Sequence, residues 1–558
     1  MTAVSSAAAP SSARSRIKQY AGRALGRLLR LPPQTTDYDV HHRLRVPMRD
    51  GVGLIADHYQ PLTSNPAGTL LVRGPYGRRW PVSVLFGAVY ASRGYHVLVQ
   101  SVRGTFGSGG DFNPFMHEIA DGADTAAWLR DQPWFTGSFG TIGMSYLGFT
   151  QWALLADPPP EMTAAVITVG PHDISGPRWG TGSFGLNDFL GWNNMVAHQE
   201  DPGRIRAIVR QVRARRMLAR ATAGLPVGEA GRTLLGEGAP WFESWLEHPE
   251  HDDPFWTPLQ LHGALDRTEI PVLLIGGWQD VFIEQTLAQY AHLRRRGVPV
   301  AVTIGSWNHS HMQGKGAPTV LRESLAWLDT HLAGNHGERR SPVRIHVNHK
   351  GWIDLDDWPP AMPEQVRYLQ PGGRLGDAVP PDTAPASTFT YDPAHPTPTV
   401  GGRLLSPEGG YRNDAKLAAR ADVLCFTGDA LATDLYVVGK PVVELSHSCD
   451  NPHNDLFVRV SEVDRKGTPR NLSDGYHCGT TTSGTVCIEL DAVAHRFRAG
   501  SRIRVLVAGG SHPRFVRNLG TGEPLSTGSR LRPATHTLQL GDGASRLLLP
   551  AGALPSTD

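Results

Sequence analysis

The residues Gly143-Met144-Ser145-Tyr146-Leu147-Gly148 place a serine between two glycines where a strand-like run gives way to a helix-like run. A serine on such a sharp turn is lifted out of a sheet, and the backbone N–H of the next residue points at the same spot. This arrangement is typical of a nucleophile in acyl transfer. A serine between glycines also fits an ordinary glycine-rich turn, so the motif needs support from the rest of the chain.

Two later segments offer the acid and the base that a serine nucleophile requires. The apolar run 270–275 ends in Gly276-Gly277-Trp278-Gln279-Asp280, and the run 299–304 ends in Gly305-Ser306-Trp307-Asn308-His309. Both runs have the character of buried strands, so Asp280 and His309 are predicted at the carboxyl ends of neighbouring parallel strands, where open α/β sheets build their sites. The order Ser, Asp, His is the order that α/β-hydrolases use.

These three motifs resemble those of the CocE/NonD group of α/β-hydrolases, the family of bacterial cocaine esterase, α-amino acid ester hydrolases and X-Pro dipeptidyl-peptidases. The family's G-x-S-Y-x-G matches 143–148, its G-G-W-x-D matches 276–280 and its G-x-W-x-H matches 305–309. Ser306 stands where proline is more usual. The resemblance covers nearly the whole chain after residue 38.

The resemblance implies a Ser-His-Asp triad in which Ser145 is the nucleophile, His309 the general base and Asp280 the residue that orients the imidazole. It also implies an oxyanion hole formed by the backbone N–H of Tyr146 and the hydroxyl of Tyr76. Tyr76 follows the strand-like stretch 70–73 and Gly74-Pro75. His311 is a rival base, and we prefer His309 because it occupies the motif position.

Several aromatic residues are candidates for the substrate pocket. Phe282 follows the acid, and Trp179 and Trp192 fall in a helical insertion, so these three are expected to line the acyl pocket. Trp278 and Trp307 are expected to pack beneath the triad instead.

The expected function is hydrolysis of a carboxylic ester or amide through an acyl-enzyme intermediate. An X-Pro dipeptidyl-peptidase or aminoacyl hydrolase is the alternative, and it needs a buried carboxylate for the substrate's amino group. Asp173, Asp188 and Glu200 are the candidates. A second alternative is a non-catalytic binding protein that uses its β-sandwich.

We expect an α/β fold of the α/β-hydrolase type, with a helical cap insertion and a C-terminal all-β jelly-roll domain. Strand-like and helix-like runs alternate as a mostly parallel sheet requires. The strand-like runs are 69–72, 96–100, 141–144, 164–169, 272–275 and 301–304, and the helix-like runs are 119–130, 283–296 and 320–332.

The predicted domains follow from changes in this pattern. A basic, partly disordered extension occupies 1–37, the catalytic domain 38–170 and 262–338, the helical cap 171–261, and the β-sandwich 339–558. Short β-rich runs separated by Pro, Gly and Asp, beginning at 343–348, indicate the sandwich.

Within the N-terminal extension, residues 14–31 are expected to form a basic amphipathic helix. Basic residues interrupt every apolar run that a signal peptide would need, so we expect a cytoplasmic protein.

Composition limits the partners. A chain of 558 residues predicts two or three domains, and a net charge of +2 gives no electrostatic basis for binding nucleic acid. No run reaches the ~18–20 apolar residues of a membrane helix, so no integral membrane segment is expected. The expected partner is a small-molecule acyl ester or amide; a homo-oligomer stays open. No cofactor and no metal is expected.

The four cysteines, Cys425, Cys449, Cys478 and Cys487, lack a metal-ligand spacing such as C-x-x-C. Cys478 and Cys487 flank a predicted hairpin turn at 479–484, so their thiols could face one another. Buried free thiols are the preferred expectation, because nothing marks an oxidising compartment.

Overall fold

The computed structural model describes residues 26–201, 204–335 and 340–554, and for 204–212 the backbone alone. The expectations for residues 1–25, which include most of the amphipathic helix, lie outside these described residues.

The strands of the described chain lie in two β-sheets. In chain order they are β1 (Tyr38–Pro47), β2 (Gly53–Pro61), β3 (Gly68–Gly74), β4 (Tyr95–Ser101), β5 (Phe139–Met144), β6 (Met162–Thr168), β7 (Val272–Gln279), β8 (Val300–Asn308), β9 (Val343–Val347), β10 (Gly351–Leu355), β11 (Glu364–Gln370), β12 (Arg374–Gly376), β13 (Ser387–Tyr391), β14 (Val423–Gly428), β15 (Leu435–Gly439), β16 (Val442–Cys449), β17 (Asn454–Val463), β18 (Pro469–Gly479), β19 (Ser483–Glu489), β20 (Val493–Phe497), β21 (Arg502–Ala508), β22 (Ala534–Gln539) and β23 (Arg546–Gly552).

The helices lie mostly between the strands of the N-terminal half. They are α1 (Glu118–Arg130), α2 (Tyr146–Leu155), α3 (Gly176–Trp179), α4 (Leu186–His198), α5 (Arg204–Ala223), α6 (Val227–Leu235), α7 (Trp241–Glu247), α8 (His262–Arg267), α9 (Ile283–Arg295), α10 (Ala317–His331) and α11 (Ala415–Ala418). A π-helical turn at Ser83–Ala88 runs into the short helix Val89–Ala91, and 3-10 helices span Pro254–Leu259, His309–Gln313 and Gly541–Gly543.

The first of two compact units comprises Met1–Ile167, Ile270–Val272 and Lys315–Glu338. In it β1 pairs antiparallel with β2, β2 antiparallel with β4, and β3 parallel with both β4 and β5. Strands β3, β4 and β5 are buried along their whole length, as parallel strands covered on both faces must be. The strand-like and helix-like runs predicted within this unit fall on these elements, on β6 and on α1 and α10.

The second unit comprises Thr168–Glu269, Leu273–Gly314 and Arg339–Asp558. It holds β7 and β8, on which the predicted runs 272–275 and 301–304 fall. Strand β9 pairs parallel with β8, and β10 pairs antiparallel with β9. This pairing corrects the assignment of 343–348 to the β-sandwich. The alternating burial of β9 suits a strand near the edge of either kind of sheet, so the sequence pattern alone could not distinguish them.

The segment between β6 and β7 carries helices α3 to α8, where the sequence predicted a helical insertion at 171–261. The division into catalytic domain, cap and sandwich at the predicted boundaries stays a prediction.

Strands β11 to β23 form a separate C-terminal β-rich domain with its own apolar core, which includes Val443, Leu445, Leu538 and Leu547. The predicted hairpin at 479–484 is wrong, because β18 pairs with β17 and β19 pairs with β16.

The four cysteines are free. Cys478 lies opposite Asp455 and Cys487 opposite Glu444, so the two thiols do not face one another. Only Cys449 is buried, while Cys487 is exposed, which corrects the expectation of four buried thiols.

Candidate active site

Ser145 stands at the junction between β5 and α2, as the sequence predicts. Its backbone has φ 59° and ψ −122°, a conformation that L-residues rarely adopt and that costs of order 1–3 kcal/mol. A Cβ atom added at Gly143 would lie 2.5 Å from the Cβ of Leu147, so only glycine allows this close approach. The strained turn therefore has the geometry of a nucleophile elbow.

Tyr146 is the first residue of α2, and Tyr76 follows β3. The N-terminus of a helix presents amide N–H groups and a partial positive charge, both of which favour an oxyanion. A Cβ at Gly74 would lie 2.4 Å from a Leu147 methyl carbon, so the end of β3 lies directly against the first turn of α2. The rings of Tyr76 and Tyr146 meet edge-on with centroids 6.4 Å apart. The residues predicted for the oxyanion hole thus lie together.

A buried charge network supports the elbow, and the sequence reasoning missed it. The Tyr146 hydroxyl donates to Oε1 of Glu118 at 2.8 Å, and Oε2 of Glu118 lies 3.0 Å from Nη2 of Arg73. Burial raises the pKa of Glu118, with Arg73 and Tyr146 opposing that rise. Burial and the Glu118 charge raise the pKa of Tyr146 well above its usual value, so the phenol stays a donor.

The same network holds a strained residue. Phe115 has φ 72°, and its backbone N–H donates to the Tyr146 hydroxyl at 2.8 Å. Its ring stacks on that of Tyr146 with centroids 4.4 Å apart. Arg73 was the available signal in the sequence, because it is a charged residue inside the otherwise apolar run of β3.

Asp280 and His309 meet in the second unit, each just after a strand, β7 and β8. Oδ2 of Asp280 lies 2.7 Å from Nδ1 of His309, and Oδ1 accepts the backbone N–H of Phe282 at 2.8 Å. The Asp280 side chain is fully buried, and that of His309 is 13% exposed. Because Nδ1 contacts the acid, Nε2 is the ring nitrogen that can serve in proton exchange with a nucleophile.

His311 has a different role in the turn that follows β8. Asn308 and His311 form a reciprocal cap of the 3-10 helix His309–Gln313: Asn308 Oδ1 accepts the His311 N–H at 3.1 Å, and His311 Nδ1 accepts the Asn308 N–H at 3.4 Å. This contact occupies a ring nitrogen of His311 in local structure and favours His309 as the base.

The candidate pocket residues are placed as follows. Phe282 precedes α9 and is 6% exposed, and its ring meets the His309 ring edge-on with centroids 5.7 Å apart. Trp179 is buried and donates its Nε1–H to the carbonyl of Trp245 at 2.9 Å. Trp192 is half-buried, and its ring stacks with that of Trp245 with centroids 6.3 Å apart. Phe282 is therefore the candidate in contact with the base, and a pocket role for all three stays a prediction.

Trp278 and Trp307 are both buried. Trp278 donates its Nε1–H to the carbonyl of His346 at 2.8 Å, and Trp307 packs on Trp352. They are core residues of the second unit, as expected.

The three carboxylates considered for amine recognition differ in their surroundings. Asp188 in α4 is 5% exposed and accepts the Leu405 N–H at 3.0 Å. Burial raises the pKa of Asp188 to about 6. The positive charges of Arg514 and His309 are among the influences that oppose this rise. Asp173 accepts both the N–H and the hydroxyl of Ser175, and Glu200 is exposed. Asp188 is thus a buried carboxylate whose pKa the charge of His309 influences.

The elbow, the acid–histidine pair and the α/β sheet define a class of protein, the serine hydrolases of the α/β-hydrolase fold. A family model described as X-Pro dipeptidyl-peptidase (S15 family) matches residues 50–311, and one described as X-Pro dipeptidyl-peptidase C-terminal non-catalytic domain matches 335–548. The chain belongs to this X-Pro dipeptidyl-peptidase and CocE/NonD family. It is an enzyme of the serine hydrolase type, which sets aside the expectation of a non-catalytic binding protein.

Similar proteins agree with this assignment. Cocaine esterase of Rhodococcus sp. (strain MB1 Bresler) is 28% identical over 546 residues, which cover 87% of this chain and 93% of the relative. An aminopeptidase from a marine sediment Thaumarchaeota archaeon superposes with a TM-score of 0.80 at 23% identity, over 94% of this chain and 98% of that one. An α-amino acid ester hydrolase superposes with a TM-score of 0.79 at 22% identity, over the same shares. The two structures share the fold of this chain. In the described part of the chain, no helix combines the length and the apolar character needed to cross a membrane.

Proposed function

We propose that the protein hydrolyses carboxylic esters of small acyl compounds through a covalent acyl-enzyme on Ser145. The observation that carries this proposal is the 2.7 Å contact between the fully buried carboxylate of Asp280 and Nδ1 of His309, which directs Nε2 of the ring to proton exchange.

In the first half of the reaction, Nε2 of His309 takes the proton of the Ser145 hydroxyl while Oγ attacks the ester carbonyl carbon. The tetrahedral intermediate collapses when the imidazolium returns that proton to the leaving alcohol oxygen, and the acyl group stays on Oγ. Asp280 holds the imidazole tautomer and stabilises the imidazolium. Water then attacks the acyl carbon with the same base, and the acid product leaves as Ser145 is restored.

The oxyanion of both tetrahedral intermediates would accept hydrogen bonds from the Tyr146 N–H and the Tyr76 hydroxyl. One such donor is worth ~2.7–4 kcal/mol of transition-state stabilisation. The contact of Gly74 with Leu147 and the edge-on tyrosine rings support this role, because they keep the two donors at the elbow.

A fluorophosphonate probe tests the nucleophile directly. We expect stoichiometric labelling of the native protein, no labelling of Ser145→Ala, and full labelling of Ser64→Ala, which changes an exposed loop serine of the same unit. Circular dichroism of both variants checks their folding. Labelling of a folded Ser145→Ala would place the nucleophile elsewhere.

Hydrolysis of aminoacyl esters or X-Pro peptides is the second candidate, and Asp188 is the observation that favours it. A substrate ammonium group needs an ionised carboxylate, and the pKa of Asp188 is about 6. Below this pH the carboxyl is neutral. The KM for an alanine ester should therefore fall as the pH rises through about 6, until the substrate amine itself loses its proton.

Asp188→Asn separates the two candidates. If the enzyme recognises an α-amino group, the substitution raises KM for an alanine ester and leaves KM for the matching N-acetylalanine ester unchanged. Equal effects on both esters, or none, would restrict the protein to simple acyl esters. A Gly-Pro and Ala-Pro amide panel tests the dipeptidyl-peptidase activity in the same assay.

We also propose a cytoplasmic location, which the four free cysteines support. Size-exclusion chromatography with light scattering would test for a homo-oligomer.

A further inference from the structure

A histidine–cysteine cluster lies in the C-terminal β-rich domain, on the adjacent strands β16 and β22. Cys449 of β16 is directly opposite His536 of β22, and His447 lies two residues before Cys449. Because residues i and i+2 of a strand share a face, the three side chains project from the same side of the sheet. That side faces the core, since Val443 and Leu445 precede His447 at the buried positions of β16.

The three side chains are close enough to bind one ion. One ligand atom of each lies within 4.8 Å of the other two, and Nε2 of His447 is 3.0 Å from Nδ1 of His536. Ligands at about 2.0–2.3 Å from a tetrahedral metal are separated by roughly 3.3–3.6 Å. The two imidazoles already approach this spacing, and the thiol, within 4.8 Å of both, would have to move by up to roughly 1.5 Å.

The cluster is polar where packing would call for apolar side chains. His447, Cys449 and His536 are 5%, 7% and 0% exposed. Nε2 of His536 is buried and has no hydrogen-bond partner among the described residues. This nitrogen lies on the opposite side of the ring from Nδ1, which faces His447, so it can carry the ring proton when Nδ1 binds an ion.

The residue types suit metal binding. Neutral imidazole and thiolate are the forms that bind a metal, so a bound cation would favour loss of the Cys449 thiol proton.

We propose that His447, Cys449 and His536 bind one Zn²⁺ ion that links β16 to β22. Thiolate and imidazole ligands select zinc over Mg²⁺ or Ca²⁺. On binding, the thiol of Cys449 loses its proton and forms a Zn–S bond, the proton between the two imidazoles moves to a non-ligating ring nitrogen, and water fills the fourth position. One proton leaves for each ion bound.

A second cluster, His349, Glu462 and His495, offers a comparison within the same unit. Here a single carboxylate oxygen contacts both rings, at 3.2 Å and 3.0 Å, and these contacts keep the pKa of Glu462 well below its usual value despite burial. The carboxylate oxygen already bonds to both rings and closes this cluster. It therefore serves as the control for adventitious binding by histidines.

The test measures zinc in the purified full-length protein. After removal of metal with a chelator and dialysis against Zn²⁺ and then metal-free buffer, we expect one retained zinc per chain by mass spectrometry and a higher Tm than without zinc. Co²⁺ in place of zinc should give a thiolate-to-metal charge-transfer band.

Matched variants locate the ion. Cys449→Ser and His536→Gln should lose the retained zinc and the zinc-dependent rise in Tm. Cys425→Ser and His349→Gln should keep both. The proposal would be overturned if the native protein retained no zinc. It would also be overturned if His349→Gln lost the zinc while Cys449→Ser kept it. Because the native protein alone can give the negative result, the test stands even if a variant fails to fold.

Discussion

The proposed nucleophile and the proposed acid–base pair are held in place by different means. Ser145 and the proposed oxyanion donors lie in the first unit, where a charge network joins β3, α1 and α2. In the second unit, residues on both sides of Asp280 contact the C-terminal β-rich part of the chain. A domain without proposed reacting groups can therefore hold the loop that carries one.

The contacts around the acid make this explicit. Gln279, which precedes Asp280, donates its side-chain N–H to the carbonyl of Leu472 in β18 at 2.8 Å. Glu284, in the first turn of α9, accepts the N–H of Ala492 at 3.3 Å and lies 2.6 Å from the ammonium group of Lys440. Each of these partners follows residue 435. The loop that carries Asp280 is thus anchored on both sides by the β-rich domain.

The largest effects are expected at the acid–base pair itself. His309→Ala should lower kcat by about 10⁶-fold and Asp280→Asn by about 10⁴-fold, because the base transfers the proton while the acid only orients it. His311→Ala should have little effect. Steady-state hydrolysis of a nitrophenyl ester measures all three. Loss of activity in His311→Ala with full activity in His309→Ala would move the base by two residues.

The oxyanion donor Tyr76 comes next. Tyr76→Phe should lower kcat by ~10²–10³ with little change in KM, because the hydroxyl is used mainly in the transition state. Tyr368→Phe, a change in the β-rich domain, is the control for loss of a hydroxyl. An unchanged kcat in Tyr76→Phe would remove this residue from the oxyanion hole.

The charge network of the first unit should matter for both rate and stability. Glu118→Gln leaves Arg73 buried without its counter-ion, so the free energy of unfolding should fall by ~3–5 kcal/mol. Because Glu118 also holds the hydroxyl of Tyr146, the substitution should displace the turn at Ser145 and lower kcat by roughly 10- to 100-fold.

The control for this variant is Glu161→Gln, which breaks a pair with the half-exposed Arg130 in the same unit. Such a pair contributes ~0–1 kcal/mol. Urea unfolding and kcat of both variants give the comparison. Equal loss of stability in the two variants would mean that the buried pair has no special role.

The smallest effect on rate is expected where the β-rich domain anchors the acid. Gln279→Leu leaves the Leu472 carbonyl buried without its donor, which should cost ~1–3 kcal/mol of stability and lower kcat by less than about tenfold. Gln370→Leu removes a side-chain hydrogen bond of the same type at an exposed site, to the carbonyl of Ala378 at 2.7 Å. If kcat falls equally in both variants, the C-terminal anchor does not position Asp280.

Local patterns in the sequence predicted the elements that carry the chemistry. The buried runs of β7 and β8 and the glycines around Ser145 indicated strand ends and a sharp turn, because apolar periodicity and close backbone approach leave local marks. The structure confirms the strained turn at Ser145 and the Asp280–His309 contact. The α/β fold and the β-rich C-terminal domain were likewise predictable from the alternation of runs.

Contacts between distant residues were not predictable in this way. Glu118 meets Tyr146 from a position 28 residues away, and Gln279 meets Leu472 across 193 residues. Strand pairing is another such case. Cys478 lies opposite a residue of β17, Cys487 lies opposite a residue of β16, and β9 lies beside β8.

By itself, then, the sequence determined the order and type of the reacting groups and the elements that end at them. Those features depend on propensity, periodicity and steric limits within a few residues. Only the tertiary structure decided which buried charges support the elbow, which domain anchors Asp280, and that His447 and Cys449 meet His536. The physical reason is that a buried polar group must find its partner wherever the folded chain brings one, however far apart the two lie in sequence.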